Sequence, residues 1–176
     1  MEAIVVSVEA ERSDMKQRLQ NINPYEFEHF VGNLWEEEGW STTVSQESND
    51  QGVDVIADKS GTIDQRLAIQ AKRYSEGNKV GRPKVQQYHS LKQQDTSADA
   101  AVVVTTSGFT KDARLWAHDH NVKLVNGDDL VDMVEKHDAH NLVEEYAPSA
   151  DEIDEGSTTE SSSSSTSSTS SASSSM

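Results

Sequence analysis

Asp54 and the Gln70-Ala71-Lys72 triplet, on two neighbouring β-rich runs, bring together the residue types that phosphodiester hydrolysis needs. That reaction requires charge on the transferring group to be neutralised, a water to be made nucleophilic near neutral pH, and the leaving oxygen to be stabilised. A hard ion such as Mg²⁺ (or Mn²⁺) takes oxygen ligands, and the Asp54 carboxylate, the Gln70 side-chain carbonyl, the Ala71 backbone carbonyl and waters could supply them. Lys72 would then orient the attacking water or help deprotonate it. Either half alone is weak: a lone Gln-x-Lys usually marks a polar strand face, and a lone Asp after Gly usually marks a turn. Their combination makes the chain a candidate nuclease.

The elements that must position these groups follow from periodicity. Leu67, Ile69 and Ala71 alternate with Ala68, Gln70 and Lys72, so Gln70 and Lys72 share one face of a strand. Val53-Asp54-Val55-Ile56-Ala57 is a second run, left through Asp58-Lys59-Ser60-Gly61, which suits a hairpin bringing Asp54 near Gln70 and Lys72. Glu28 is a further candidate ligand on a helix expected over 24–38. Asn23 can cap that helix, Pro24 fits its first turn, Glu26 completes a capping-box pattern, and Phe27, Phe30, Val31, Leu34 and Trp35 form its buried stripe. Glu28 lies at the edge of the stripe, where it could lean towards the sheet, while Glu36, Glu37 and Glu38 suit a solvated helix end.

Strands are expected over 40–44, 52–57, 67–72, 100–105 and 122–125. Helices are expected after Pro83, over 110–118, and after a cap at Asp128-Asp129. The run at 100–105 is continuously apolar and β-branched, as a central strand covered on both faces would be. The order αβββαβαβα implies an α/β fold with a mixed sheet and helices on both faces.

Phe27-Glu28 with Val31 and Leu34, the segment Asn49-Asp50-Gln51-Gly52-Val53-Asp54-Val55-Ile56-Ala57, and Ile69-Gln70-Ala71-Lys72-Arg73-Tyr74 together resemble the Mrr-like restriction endonuclease domain of the PD-(D/E)xK nuclease superfamily, in its QxK variant. The likeness continues through Val80, Val85, Val102-Val103-Val104-Thr105-Thr106, Phe109-Thr110 and Ala113. The resemblance implies a restriction-endonuclease-like three-layer αβα sandwich with an αβββαβ core, and a site of Glu28, Asp54, Gln70 and Lys72. Asp50 matches an acidic position of the family's Asp-x-Gly-x-Asp segment, although Ser48-Asn49-Asp50-Gln51-Gly52 suits a plain turn equally well. The implied activity is type IV restriction-like cleavage of foreign or modified double-stranded DNA. A homodimer is expected for cutting both strands, with a separate recognition or helicase subunit as another partner. A junction-resolving or repair nuclease of the same fold, and a non-catalytic DNA-binding module, remain open alternatives.

Charge is an independent line of argument. The chain carries a formal −16, yet between residues 66 and 92 it holds Arg66, Lys72, Arg73, Lys79, Arg82, Lys84 and Lys92 against Glu76 alone. Phosphate binding is the simplest use of that window, and Arg66, Arg73, Lys79, Arg82, Lys84 and His89 are the expected DNA contacts. A solvated helix face is the plainer reading of the same residues. Thr105 and Thr106 could donate to a phosphate or cap a strand end. Tyr74 and Trp116 suit core packing better than base stacking, and the remaining histidines, including a His137/His140 pair expected in the last helix, suit surface roles. The wider acidic excess, with only nine lysines, resembles proteins of a salt-rich cytoplasm.

Zero cysteines exclude disulfides and thiolate–zinc sites, and no apolar run is long enough to span a bilayer, so a cytoplasmic protein is expected. The division expected is an N-terminal extension at 1–20, a nuclease domain at 21–147, and a disordered acidic, Ser-rich tail at 148–176. From residue 157 onwards that tail has thirteen Ser and four Thr and too little apolar surface to fold.

Overall fold

The computed structural model describes residues 2–45, 53–94 and 97–149, without the side chains of 91–94. Asp50, the side chain of Lys92 and the Ser-rich tail from residue 150 lie outside the described residues.

The helix expected over 24–38 is preceded by one that local patterning did not show. This first helix, α1 (Glu2–Asn21), is followed by α2 (Pro24–Glu37). In α2 the Asn23 side chain accepts from the Tyr25 amide at 3.0 Å, Pro24 occupies the first turn, and the predicted apolar stripe is fully buried. Gly39, at φ +84°, then turns the chain in the left-handed region that glycine enters without steric cost.

Next come β1 (Ser41–Val44), β2 (Val55–Lys59), β3 (Gln65–Lys72), α3 (Arg82–Gln94), β4 (Ala100–Thr105), α4 (Lys111–Asp119), β5 (Val122–Val125), α5 (Gly127–Lys136) and α6 (His140–Tyr146). The five strands form one mixed sheet in the order β1-β2-β3-β4-β5, antiparallel from β1 to β3 and parallel from β3 to β5. Two apolar cores flank it. Val55, Ile69, Ala71, Val102 and Val104 pack with α1, α2, α5 and α6, whereas Ala101 and Val103 pack with α3 and α4. Every residue of β4 is buried, which is why its sequence is apolar without alternation. The α/β three-layer architecture is therefore the expected one.

Several boundaries depart from expectation for local reasons. β2 starts at Val55, leaving Asp54 in a bend ahead of the strand. The cap of α5 is Asn126, whose side chain accepts from the Asp128 and Asp129 amides while Asp129 accepts from the Asn126 amide. The last helical stretch is two helices: Asp138, at φ 53°, interrupts it, so His137 caps α5 and His140 opens α6. Glu38 is not simply solvated, because it accepts from Lys136 at 3.0 Å and meets His137 at 2.8 Å.

Only the second half of α1 packs. Leu19 is fully buried, Arg12 pairs with Asp132 and Glu135 on α5, and Arg18 pairs with Glu144 on α6 and donates to the Ala147 carbonyl. No helix among the described residues is long and apolar enough to cross a membrane.

Candidate active site

The site lies where the β2–β3 hairpin frays. Pairing runs as far as Val55↔Ile69, with the Asp54 amide donating to the Ile69 carbonyl at 3.0 Å. Beyond that point β2 no longer offers a carbonyl to the next β3 amide on that edge, Ala71, and the Asp54 side chain takes its place. Asp54 Oδ2 accepts from the Ala71 amide at 2.8 Å and from Gln70 Nε2, and Lys72 Nζ lies 3.7 Å from the same oxygen. Among the described residues no donor reaches Asp54 Oδ1. Amide and carbonyl of one strand residue point to the same edge, so the Ala71 carbonyl also faces the frayed side.

Gln70 and Lys72 share the sheet face that carries α3, as the alternation requires, with Gln70 paired to Val103 and Lys72 to Thr105 across β3–β4. Glu28 arrives from α2 on the opposite layer and comes within electrostatic reach of both Asp54 and Lys72. Burial, reinforced by the Asp54 charge and opposed by Lys72, pushes the Glu28 carboxyl up to about 7. Burial also raises Asp54, and Lys72, the Ala71 amide and Gln70 pull it back. Two carboxylates thus share one ammonium. That shortage of positive charge, beside an amide and a strand carbonyl, fits a hard divalent cation held by Asp54, Glu28, Gln70 and Ala71. Among the described residues no three Asp, Glu or His side chains converge, so water would complete any such shell. Gln70 presents its amide nitrogen to Asp54, and a half-turn of that group would present the oxygen instead.

The expected DNA contacts divide by position. Lys79, Arg82 and Lys84 are exposed around the start of α3, and Lys79 and Lys84 line an open cavity of about 530 Å³ beside Tyr74 that has no acidic wall. Arg73 is committed elsewhere: its guanidinium donates to the Gln20 carbonyl at 3.1 Å and fastens the end of α1 to the strand. Arg66 sits six residues before Lys72 on β3, about 20 Å away at strand spacing, where it meets Asp58 at 3.7 Å. His89 packs edge-on against Trp116 of α4, with their centroids 5.4 Å apart, and His120 stacks on the same indole. Thr105 and Thr106 are fully buried. Thr106 Oγ1 accepts from the Tyr74 amide and donates to the Tyr74 carbonyl, and Thr105 Oγ1 meets Ser107 Oγ at 3.2 Å. They brace the loop after β3 and are not open to a phosphate.

Sequence reading did not single out Tyr88 as a site residue. From α3 its ring reaches Lys72, with Nζ 6.0 Å from the centroid. The signal available was its place on the inner face of α3, three residues after buried Val85.

No curated protein matches the chain. Among solved structures it is similar to the DNA modification-dependent restriction endonuclease AspBHI, with a TM-score of 0.64 and 23% identity over 83% of this chain and 40% of that one. MspJI restriction endonuclease, solved in complex with a 27-mer oligonucleotide, gives 0.55 and 21% over 78% and 35%. Restriction endonuclease FokI gives 0.56 and 14% over 82% and 29%. The chain spans well under half the length of each of these three, and the likeness shows a shared fold. A family model described as Restriction endonuclease, Mrr_cat, matches residues 19–134, from the end of α1 through α5. The chain belongs to that restriction endonuclease family.

Proposed function

We infer that the chain is a metal-dependent endodeoxyribonuclease that hydrolyses phosphodiesters of double-stranded DNA. The observation that carries this reading is the convergence of Gln70, Ala71 and Lys72 on one oxygen of Asp54, with the second oxygen open and Glu28 close enough to repel. When bound there, Mg²⁺ or Mn²⁺ would neutralise phosphate charge and acidify water. The protein's own groups do the rest. Asp54 is held in one orientation by two donors, so its open oxygen needs no reorganisation before use. Lys72, one-third exposed, can donate to a non-bridging phosphate oxygen or align the attacking water. Water adds to phosphorus and gives up one proton to solvent, the bond to the leaving sugar oxygen breaks, and that oxygen gains a proton from solvent. Lys79, Arg82 and Lys84 would hold flanking phosphates.

Restriction of foreign or modified DNA is the biological role that family membership supports, and AspBHI is described as modification-dependent. One chain carries one site, so cutting both strands would take two chains. The test is cleavage of methylated and unmethylated plasmid in high-salt buffer with Mg²⁺, Mn²⁺ or EDTA, comparing wild type with Asp54→Ala and Lys72→Ala. Metal-dependent nicking or linearisation lost in both variants is expected. Folded wild type that binds duplex without cutting it in any metal would overturn the reading in favour of a binding module.

A further inference from the structure

Lys72 is the single cation between Asp54 and Glu28 among the described residues, and a lysine side chain has four rotatable bonds with which to leave that position. Two groups restrain it. One is Asp54, 3.7 Å away; the other is the ring of Tyr88, 6.0 Å from Nζ to the centroid. Tyr88 is only 8% exposed and packs in the core between α3, α4 and the sheet, with Val85, Val103 and Phe109. The aromatic face that meets Lys72 is therefore fixed by that packing.

We propose that Tyr88 is a positioning residue whose ring, held in the core between α3, α4 and the sheet, keeps the Lys72 ammonium beside Asp54. An ammonium drawn to the negative face of an aromatic ring loses freedom without losing charge. Tyr88 supplies that restraint from the side of the sheet opposite Glu28. The proposal rests on the nuclease reading for its catalytic consequence, but the restraint itself can be measured without cleavage.

The experiment compares wild type, Tyr88→Phe, Tyr88→Leu and Tyr88→Met in three readouts. The first is acylation of Lys72 by an amine-reactive ester at fixed pH in EDTA, followed by peptide mass spectrometry and normalised to exposed Lys111. The second is single-turnover cleavage of saturating duplex with Mg²⁺, and the third is duplex affinity in EDTA. Tyr88→Phe keeps the ring and should match wild type within about twofold. Tyr88→Leu should be acylated at Lys72, and slowed in cleavage, by about three- to tenfold, the worth of a partly exposed cation–π contact, with duplex affinity within about twofold. Tyr88→Met, which fills the volume without a ring, should behave as Tyr88→Leu does. Lys72 labelling equal in wild type and Tyr88→Leu overturns the proposal, as does Tyr88→Phe behaving like Tyr88→Leu. If Tyr88→Leu does not melt cooperatively, Tyr88→Met decides the matter, because methionine fills an irregular core gap and unchanged Lys72 labelling in it overturns the proposal. If wild type cleaves nothing, the nuclease reading fails while the labelling result still stands for or against the restraint.

Discussion

Replacing Asp54 by asparagine and by alanine separates what its charge does for chemistry from what its oxygen does for the fold. Oδ2 closes the frayed end of the hairpin by accepting from the Ala71 amide and from Gln70. An asparagine carbonyl can accept from the same two donors, and it removes a charge that burial disfavours. Asp54→Asn should therefore unfold within about 1 kcal/mol of wild type at pH 7 without metal. Alanine leaves the Ala71 amide with no acceptor, and an orphaned buried donor costs about 1–3 kcal/mol. Gln70 can swing towards water, so that single amide sets the size of the loss. For cleavage the two variants should fall together. Losing an anionic ligand forfeits several kcal/mol of Lewis-acid stabilisation, or about 10²- to 10⁴-fold in rate. The assays are urea unfolding in EDTA at fixed high salt and single-turnover cleavage with Mg²⁺. Equal stability of the two variants would refute the role of Oδ2 in the hairpin, and Asp54→Asn cleaving at the wild-type rate would refute the role of the charge.

Glu28, with its carboxyl raised from 4.5 to about 7, makes the fold more stable when protonated. That contribution is present below pH 4.5 and is lost as pH rises through about 7. The rise is worth about 3 kcal/mol unscreened and roughly 1–2 kcal/mol with solvent around a partly buried side chain. Wild type should lose that much stability relative to Glu28→Gln across this window in metal-free urea melts; parallel curves would remove Glu28 from the cluster. Gly127 opens α5 where an added Cβ would sit 2.2 Å from the Thr106 carbonyl oxygen. Gly127→Ala should cost about 1–3 kcal/mol, read as a lower melting temperature, and an unchanged value would show that the α5 entry yields freely. The formal charge of −16 spread over the body as well as the tail predicts unfolding on dialysis to low salt, followed by circular dichroism. Retained structure in salt-free buffer would rule out salt-dependent folding.

What was legible in the sequence was whatever a neighbour or two could dictate. Alternation placed Gln70 and Lys72 on one face, and continuous apolarity placed β4 at the centre of the sheet. α1 escaped because its most apolar segment is exposed, with Ile4, Val5 and Val6 57–70% accessible, and because Arg12 and Arg18, which tie the helix down, are charged. Their partners on α5 and α6 lie more than a hundred residues away, where no local pattern could reveal them. The break between α5 and α6 was hidden for a related reason, since Asp138 takes a left-handed conformation with neither Gly nor Pro to announce it.

The basic window shows how composition and position can separate. By charge alone Arg66, Arg73 and Lys84 are equivalent, yet one pairs with Asp58 at the far end of β3, one fastens α1, and one stands open beside the cavity next to Tyr74. Attraction to a phosphate backbone depends on charge that is exposed and close, because screening confines it to about 8 Å at physiological ionic strength. The effective patch is therefore Lys79, Arg82 and Lys84, a short arc at the start of α3. Helix α3 thus does two jobs. On the proposed reading its first turn would present cations to DNA, and its inner face, through Tyr88, meets Lys72. DNA docked against that first turn would then bear on the element that meets Lys72, and a single helix would tie the proposed binding surface to the proposed chemistry.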